Sequence, residues 1–151
     1  MIHGRLVREW RPWRNPLSRY YLSLDEYRPS TLPDFTTGQA YLFPADVARD
    51  LYEAALERPY LKLEDVFVTG IVADAVGVGR VHTAEFYNQD MWFPRRSVHS
   101  VISIHGIDAV EQFYLWREQF NGGSTPNRSS LSIIITITFA CVSFQMIVSN
   151  T

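Results

Sequence analysis

YLKLEDVFVTG, residues 60–70, sets two adjacent carboxylates, Glu64 and Asp65, inside an otherwise apolar run. A buried charge is costly unless it is paired, hydrogen-bonded or used. Asp65 falls where the spacing predicts a helix to start. Val68, Ile71, Val72 and Ala75 recur at helical intervals, and Gly77 or Gly79 ends the pattern. An aspartate at a helix start accepts backbone N–H bonds, and the helix dipole keeps it ionised. A cap requires one acid, yet here there are two. Both follow an apolar turn and so are placed to point into a cleft, where an ionised carboxylate acts as a general base toward a hydroxyl. Taken from the residues alone, the plain cap is the commoner of these two readings.

Upstream of this stretch, Gly38–Phe43 (GQAYLF) reads as a buried strand. Pro44 then opens a helix with Asp46 in its first turn. Val47, Leu51, Ala54 and Ala55 share one face of that helix, and Pro59 follows its end. Met1 to Pro33 is rich in Arg, Trp, Tyr and Pro, and reads as irregular chain with one short strand near Tyr20 to Ser23. Downstream, Val98, Ser100, Ile102 and Ile104 alternate with His99, Val101, Ser103 and His105 as a strand does. Asp108 caps a third helix and Glu111 completes a capping box, with Val110, Phe113 and Phe120 turned to a core. Strands and helices in alternation predict an α/β fold. His105 ends the last strand, where such folds present residues to a ligand crevice. A neutral imidazole there can ligate a metal, although a satisfied strand-end histidine is the commoner case.

The chain has 151 residues, 46% hydrophobic and 20% charged, which suits one modest globular domain. A net charge of -2 supplies no basic field for nucleic acid. Cys141 is the single cysteine, so no intrachain disulfide forms. The first twenty residues carry five arginines and no apolar core, and are not a signal peptide. No G-x-G-x-x-G, P-loop, paired-cysteine motif or Asp-x-Asp pair occurs.

Four stretches, in order, resemble the beta-1,3-galactosyltransferase family, the Golgi hexosyltransferases of glycosyltransferase family thirty-one. They are RYYLSLDEY (Arg19 to Tyr27), LPDFTTGQAYLFPADVARDLYEAA (Leu32 to Ala55), LEDVFVTGIVADAVGV (Leu63 to Val78) and ISIHGIDAVEQFYLW (Ile102 to Trp116). The third is the most specific, an acidic pair that opens a helix. The resemblance runs from about Gly4 to about Trp116. It implies a GT-A-like mixed sheet with flanking helices, the C-terminal half of that fold only. Residues 1–120 would be a partial transferase domain and 121–130 a polar linker, with 131–151 a hydrophobic tail.

By the same resemblance Asp65 is the catalytic base, and Glu64 flanks the acceptor or positions the base. Thr37, Gly38 and Gln39 wall the donor sugar. His105 helps to hold a divalent metal, usually manganese (Mn2+), on the diphosphate of a UDP-sugar. The implied reaction moves galactose or an N-acetylhexosamine to a glycan acceptor with inversion, in protein glycosylation. The implied place is the lumenal side of the Golgi membrane, reached through an anchor missing here or through the C-terminal tail. This reading requires Asp65 to line a sugar cavity facing His105. The sequence also departs from the family pattern. Thr36-Thr37-Gly38-Gln39 stands where the family has more glycines, Pro44 stands for a usual serine, and the Asp-x-Asp metal motif is absent. Little activity is therefore expected from these residues alone. The alternative is a non-catalytic carbohydrate-binding or regulatory derivative, with Trp10, Trp13, Tyr20 and Tyr21 as its sugar surface. Leu131 to Ser149 carries no charge. It reads as translated intron, as a membrane span of ~20 residues, or as an extra buried element. Asn127-Arg128-Ser129 is an N-glycosylation sequon.

Overall fold

Ile2, Gly4 and Leu6 alternate with His3 and Arg5, and this period of two forms β1 (Ile2–Val7), with Ile2 and Gly4 buried and His3 exposed. The computed structural model describes residues 1–87, 98 and 100–121. They fall in two compact units, Met1–Phe86 and Tyr87–Thr151.

In the first unit β1 is the middle strand of three. It pairs antiparallel with β2 (Phe35–Leu42) and parallel with β3 (Arg80–His82), so the sheet is mixed. The expected irregular N-terminal segment thus supplies the central strand. At the expected strand near Tyr20–Ser23 there is instead an isolated bridge between Trp13 and Tyr21. Arg14 organises that region. Its guanidinium donates to the carbonyls of Leu22, Ser23, Tyr27 and Pro29 at 2.7, 2.9, 2.7 and 3.0 Å, a fork that suits several acceptors at once.

The strand expected at Gly38 begins three residues earlier, because Phe35, Thr36 and Thr37 are its buried part. Pro44 opens α1 (Ala45–Leu56) as expected. Leu51 is buried on the inner face, and Val47, Ala54 and Ala55 pack beside it. A π-helix (Val66–Val72) follows and runs into the short α2 (Ala73–Ala75). Its wide turns shift the buried face. Val66, Phe67, Thr69, Gly70, Val72 and Ala73 are buried, whereas Val68 and Ile71 are half-buried and Ala75 is exposed. A 3.6-residue period cannot place that face. The π-helix packs on both β2 and α1. Gly70 lets it approach the segment before β2, since a Cβ there would lie 2.8 Å from Pro33 Cγ. Gly77, at φ +68°, ends α2 as a left-handed residue. Ile2, Leu22, Leu32, Phe35, Leu51 and Val72 are among the residues that form the core.

In the second unit the described strand is shorter than expected. β5 (Ser103–Ile104) pairs with β4 (Phe86–Tyr87), of which Tyr87 opens this unit, and α3 (Ala109–Asn121) follows. Asp108 Oδ1 accepts the Glu111 N–H at 2.8 Å, the predicted cap. Leu115 is buried with Val98, Val101 and Ile104. Val110 and Phe113, expected in a core, are exposed at 64% and 54%. Among the described side chains of this helix, Leu115 is the buried one. Among the described residues no helix is long and apolar enough to cross a membrane. The tail from Leu131 and most of the polar linker lie outside the described residues.

Candidate functional site

The β1–β2 ladder breaks at the segment singled out beside the acidic pair. Gly4 pairs with Tyr41 and Leu6 with Thr36, so Arg5 alone stands opposite residues 37–40. Thr37, Gly38, Gln39 and Ala40 therefore leave the ladder as a wide bulge. Such bulges redirect a strand where a side chain or backbone group must be aimed. Gly4 makes the pinch at its base feasible. A Cβ on Gly4 would sit 3.1 Å from the Cβ atoms of both Thr36 and Tyr41.

The start of the π-helix meets this bulge. Asp65 Oδ1 accepts the Val66 N–H at 2.9 Å, and Oδ2 accepts the Gly38 N–H at 3.0 Å. The carboxylate thus serves the helix start with one oxygen and the bulge with the other, which is more than a cap does. A Cβ on Gly38 would lie 3.3 Å from Asp65 Cβ and 3.4 Å from Oδ2, so the two backbones are in tight approach. Behind them Thr69, fully buried, accepts the Thr36 N–H at 2.9 Å and donates to the Asp65 carbonyl at 2.6 Å. Glu64 Oε1 accepts a hydrogen bond from the Tyr41 phenol at the far end of the bulge.

Burial pushes the Asp65 carboxyl above its usual range, against the pull of the Val66 and Gly38 N–H groups. The backbone N–H bonds expected at a helix start are present and favour the ionised form, while desolvation is the larger influence. Burial also pushes Glu64 up. The Tyr41 hydrogen bond opposes that rise, and the charge of Asp65 adds to it. Tyr41 is pushed upward by burial and then by Glu64, so its phenol remains a donor.

Five of the expected site residues, Thr37, Gly38, Gln39, Glu64 and Asp65, thus converge on one bulge and one helix start. Thr37 is buried, and the Gln39 side-chain oxygen is buried with no hydrogen-bond partner among the described residues. His105 belongs to the second unit. It is exposed, and its main-chain N–H donates to the Tyr87 carbonyl at 3.0 Å. Among the described residues no three His, Cys, Asp or Glu side chains converge to hold a metal ion. Among the described residues, His105 is thus a single imidazole with no converging second and third ligand. Asn127 lies outside the described residues.

Trp10, Trp13 and Tyr20, expected as an alternative sugar surface, are 44%, 48% and 43% exposed. Lys62 lies over the Tyr21 ring, 5.4 Å from its centroid. A hollow of about 280 Å³ is present elsewhere in the first unit, lined by Arg8, Asp34, Asp74 and Arg80 among others. Its charges are internally paired, Arg8 with Asp34 at 3.4 Å and Arg80 with Asp74 at 2.6 Å. The sequence reading missed Tyr41 and Thr69. Thr69 was detectable as a hydroxyl four residues beyond Asp65, within reach of its carbonyl across one helical turn. Tyr41 was not detectable, because its reach to Glu64 depends on the bulge.

Residues 1–84 match the galactosyltransferase family. The chain is 32% identical over 107 residues to Beta-1,3-galactosyltransferase 1 of Mus musculus and of Homo sapiens, covering 71% of this chain and 32% of either relative. It is 36% identical over 83 residues to Beta-1,3-galactosyltransferase 5 of Homo sapiens, covering 55% of this chain and 26% of that protein. The chain spans about a quarter to a third of the length of these curated relatives.

Proposed function

Because the chain belongs to the galactosyltransferase family, we propose that it carries the acceptor-activating base of an inverting hexosyltransferase, and that Asp65 is that base. In this reaction Asp65 takes the proton of an acceptor-sugar hydroxyl. The oxygen bonds to the anomeric carbon of a UDP-sugar, the bond from that carbon to the diphosphate oxygen breaks, and the electron pair leaves with UDP. Attack opposite the leaving group inverts the anomeric centre. The donor sugar is galactose, the sugar in the names of the relatives, or an N-acetylhexosamine, and the acceptor is a glycan. A divalent metal, manganese by the resemblance, would neutralise the leaving diphosphate when bound. The proposed setting is the Golgi lumen. The activity is that of the whole protein.

The observation that supports Asp65 is its double attachment. One oxygen is fixed on the helix start and the other on the Gly38 N–H, while burial raises the proton affinity of the group. A general base works best when its pKa approaches the operating pH and its geometry is fixed. The bulge at residues 37–40 would wall the donor sugar.

The test compares the purified protein carrying this chain with its Asp65→Asn variant, measuring sugar transfer from UDP-galactose and UDP-N-acetylhexosamines to a panel of glycans. Loss of the base lowers kcat by ~100-fold or more, and because asparagine keeps only one acceptor oxygen a loss of about 1 kcal/mol in stability accompanies it. Transfer at the wild-type rate in Asp65→Asn defeats this assignment. Glycan binding without turnover, abolished by Trp10→Ala or Trp13→Ala, supports the non-catalytic reading instead.

A further inference from the structure

Three contacts fasten the bulge of β2 to the start of the π-helix. At its entrance the Thr36 N–H donates to Thr69 Oγ1 at 2.9 Å. At its crest the Gly38 N–H donates to Asp65 Oδ2 at 3.0 Å. At its exit the Tyr41 phenol donates to Glu64 Oε1. The first and third are anchors, and the second, between them, is the one that touches the proposed base. We propose that Tyr41 is a positioning residue: by holding Glu64 it closes the bulge onto the helix start and keeps the Asp65 carboxylate on the Gly38 N–H. The catalytic half of this inference rests on Asp65 being the base, whereas the structural half does not.

The chemistry explains why a phenol does this work. Glu64 is a long, flexible acid next to Asp65, and both are partly buried. Left free, it has two ways to disable its neighbour. It can compete for the Gly38 N–H. Once protonated, it can also donate its own O–H to the Asp65 carboxylate and occupy the lone pair that a base requires. Tyr41 blocks both. Its ring is half-buried and stacked on Phe43 at 5.9 Å, so the hydroxyl is delivered from a fixed place. The titratable groups that act on Glu64 are Tyr41 from β2 and Asp65 beside it. The phenol favours the ionised form of Glu64 and Asp65 disfavours it. Without the hydroxyl, Glu64 takes its proton at a higher pH and becomes the competing donor.

The test uses the full chain in wild-type, Tyr41→Phe and Glu64→Gln forms. Amide hydrogen exchange at Gly38 and the carbon-13 titration of the Glu64 carboxyl are followed by NMR. Tyr41→Phe speeds Gly38 exchange by ~10-fold or more and moves the Glu64 midpoint upward. The Thr36 amide, held by Thr69, keeps its protection and reports that the fold is intact. Glu64→Gln, whose amide oxygen still accepts from the phenol, leaves Gly38 exchange within ~2-fold of wild type. Unchanged Gly38 exchange and an unchanged Glu64 midpoint in Tyr41→Phe overturn the proposal. In the transfer assay Tyr41→Phe lowers kcat more than it raises KM and shifts the acid limb of the pH profile upward. A shift in neither parameter overturns the catalytic half. If the whole protein carrying this chain transfers no sugar, the reading of Asp65 as a base fails, and the exchange data alone still decide whether Tyr41 holds the bulge.

Discussion

Replacing Thr69 with valine tests whether the buried hydroxyl, and not the shape of the side chain, joins the π-helix to β2. The two side chains are nearly equal in volume and both are β-branched, so neither a cavity nor a change of helix propensity intervenes. The hydroxyl makes three contacts: it accepts the Thr36 N–H at 2.9 Å, and its single hydrogen lies between the Asp65 carbonyl at 2.6 Å and the Thr36 carbonyl at 3.2 Å. Thr36 and Thr69 are both fully buried, so water cannot replace the lost partner. Orphaning a buried N–H costs ~1–3 kcal/mol, and loss of the second bond adds ~0.5–1.5 kcal/mol. Burying a methyl in place of the hydroxyl returns ~0.8 kcal/mol. The net expectation is a loss of about 2 kcal/mol, the centre of a range of about 1–4 kcal/mol. For a unit of this size that lowers Tm by roughly 8 °C or more. Thr69→Ser keeps the hydroxyl and loses one methyl, costing about 1 kcal/mol. Urea denaturation followed by the fluorescence of Trp10 and Trp13 measures both variants. If Thr69→Val is as stable as Thr69→Ser, the hydroxyl carries no weight and the anchor at the entrance of the bulge is an incidental contact.

Thr36 gives the opposite sign: its own Oγ1 is buried without a partner among the described residues, so Thr36→Val is expected to raise stability by ~1 kcal/mol. A lower urea midpoint would show that the hydroxyl is satisfied. Arg14→Lys keeps the charge but cannot reach four carbonyls with one ammonium, and is expected to lose ~1–2 kcal/mol. Faster amide exchange at Leu22 and Tyr27 would localise that loss, and wild-type exchange at both would remove Arg14 from its role as organiser. The Glu64 carboxyl is raised in the folded state, mainly by burial. In the window from the ordinary glutamate range up to that raised value the native protein holds more protons than the unfolded chain, so stability falls as pH rises. Its contribution is complete below the ordinary range and lost above the folded value. Glu64→Gln removes it, and unfolding free energy plotted against pH becomes flatter there. A slope equal to that of wild type would mean that Glu64 does not titrate in that window.

The parts of the fold legible in the sequence are those governed by local chemistry. Pro44, Asp46 and the Val47–Leu51–Ala55 stripe gave α1, and Asp108 gave the start of α3, because caps and a 3.6-residue period act within one turn. β1 was hidden for another reason. Arginines at positions 5, 8, 11 and 14 make the first segment look like solvated irregular chain, although Ile2, Gly4 and Leu6 do alternate with polar residues. The buried face of the π-helix was misplaced because wide turns break the period used to find it. Val110 and Phe113 misled for the converse reason: apolar residues at helical spacing mark a core only where another element covers them, and both are exposed. Of the candidate site, the acidic pair and Gly38 were legible as motif residues. Their meeting was not, because it depends on a bulge whose register is a property of two strands.

That bulge also bears on the departures from the family pattern. A chain with fewer glycines than its relatives in this strand invites the conclusion that the turn cannot form. Glycine has two distinct uses, however: to reach left-handed backbone, and to leave room. Among the described residues, left-handed backbone occurs at Glu9, Gly77 and Gly106, and nowhere in residues 36–40. Thr37 and Gln39 therefore occupy backbone that any residue adopts, and the bulge does not depend on glycine at either position. Room is needed at two places only, Gly38 against Asp65 and Gly4 beneath Thr36 and Tyr41, and both retain glycine. Thr37 and the Gln39 amide oxygen are both buried, so these two side chains bear on the packing behind the bulge and not on whether its backbone forms. It follows that neither the backbone of the bulge nor the Gly38 hold on Asp65 requires further glycines in residues 36–40.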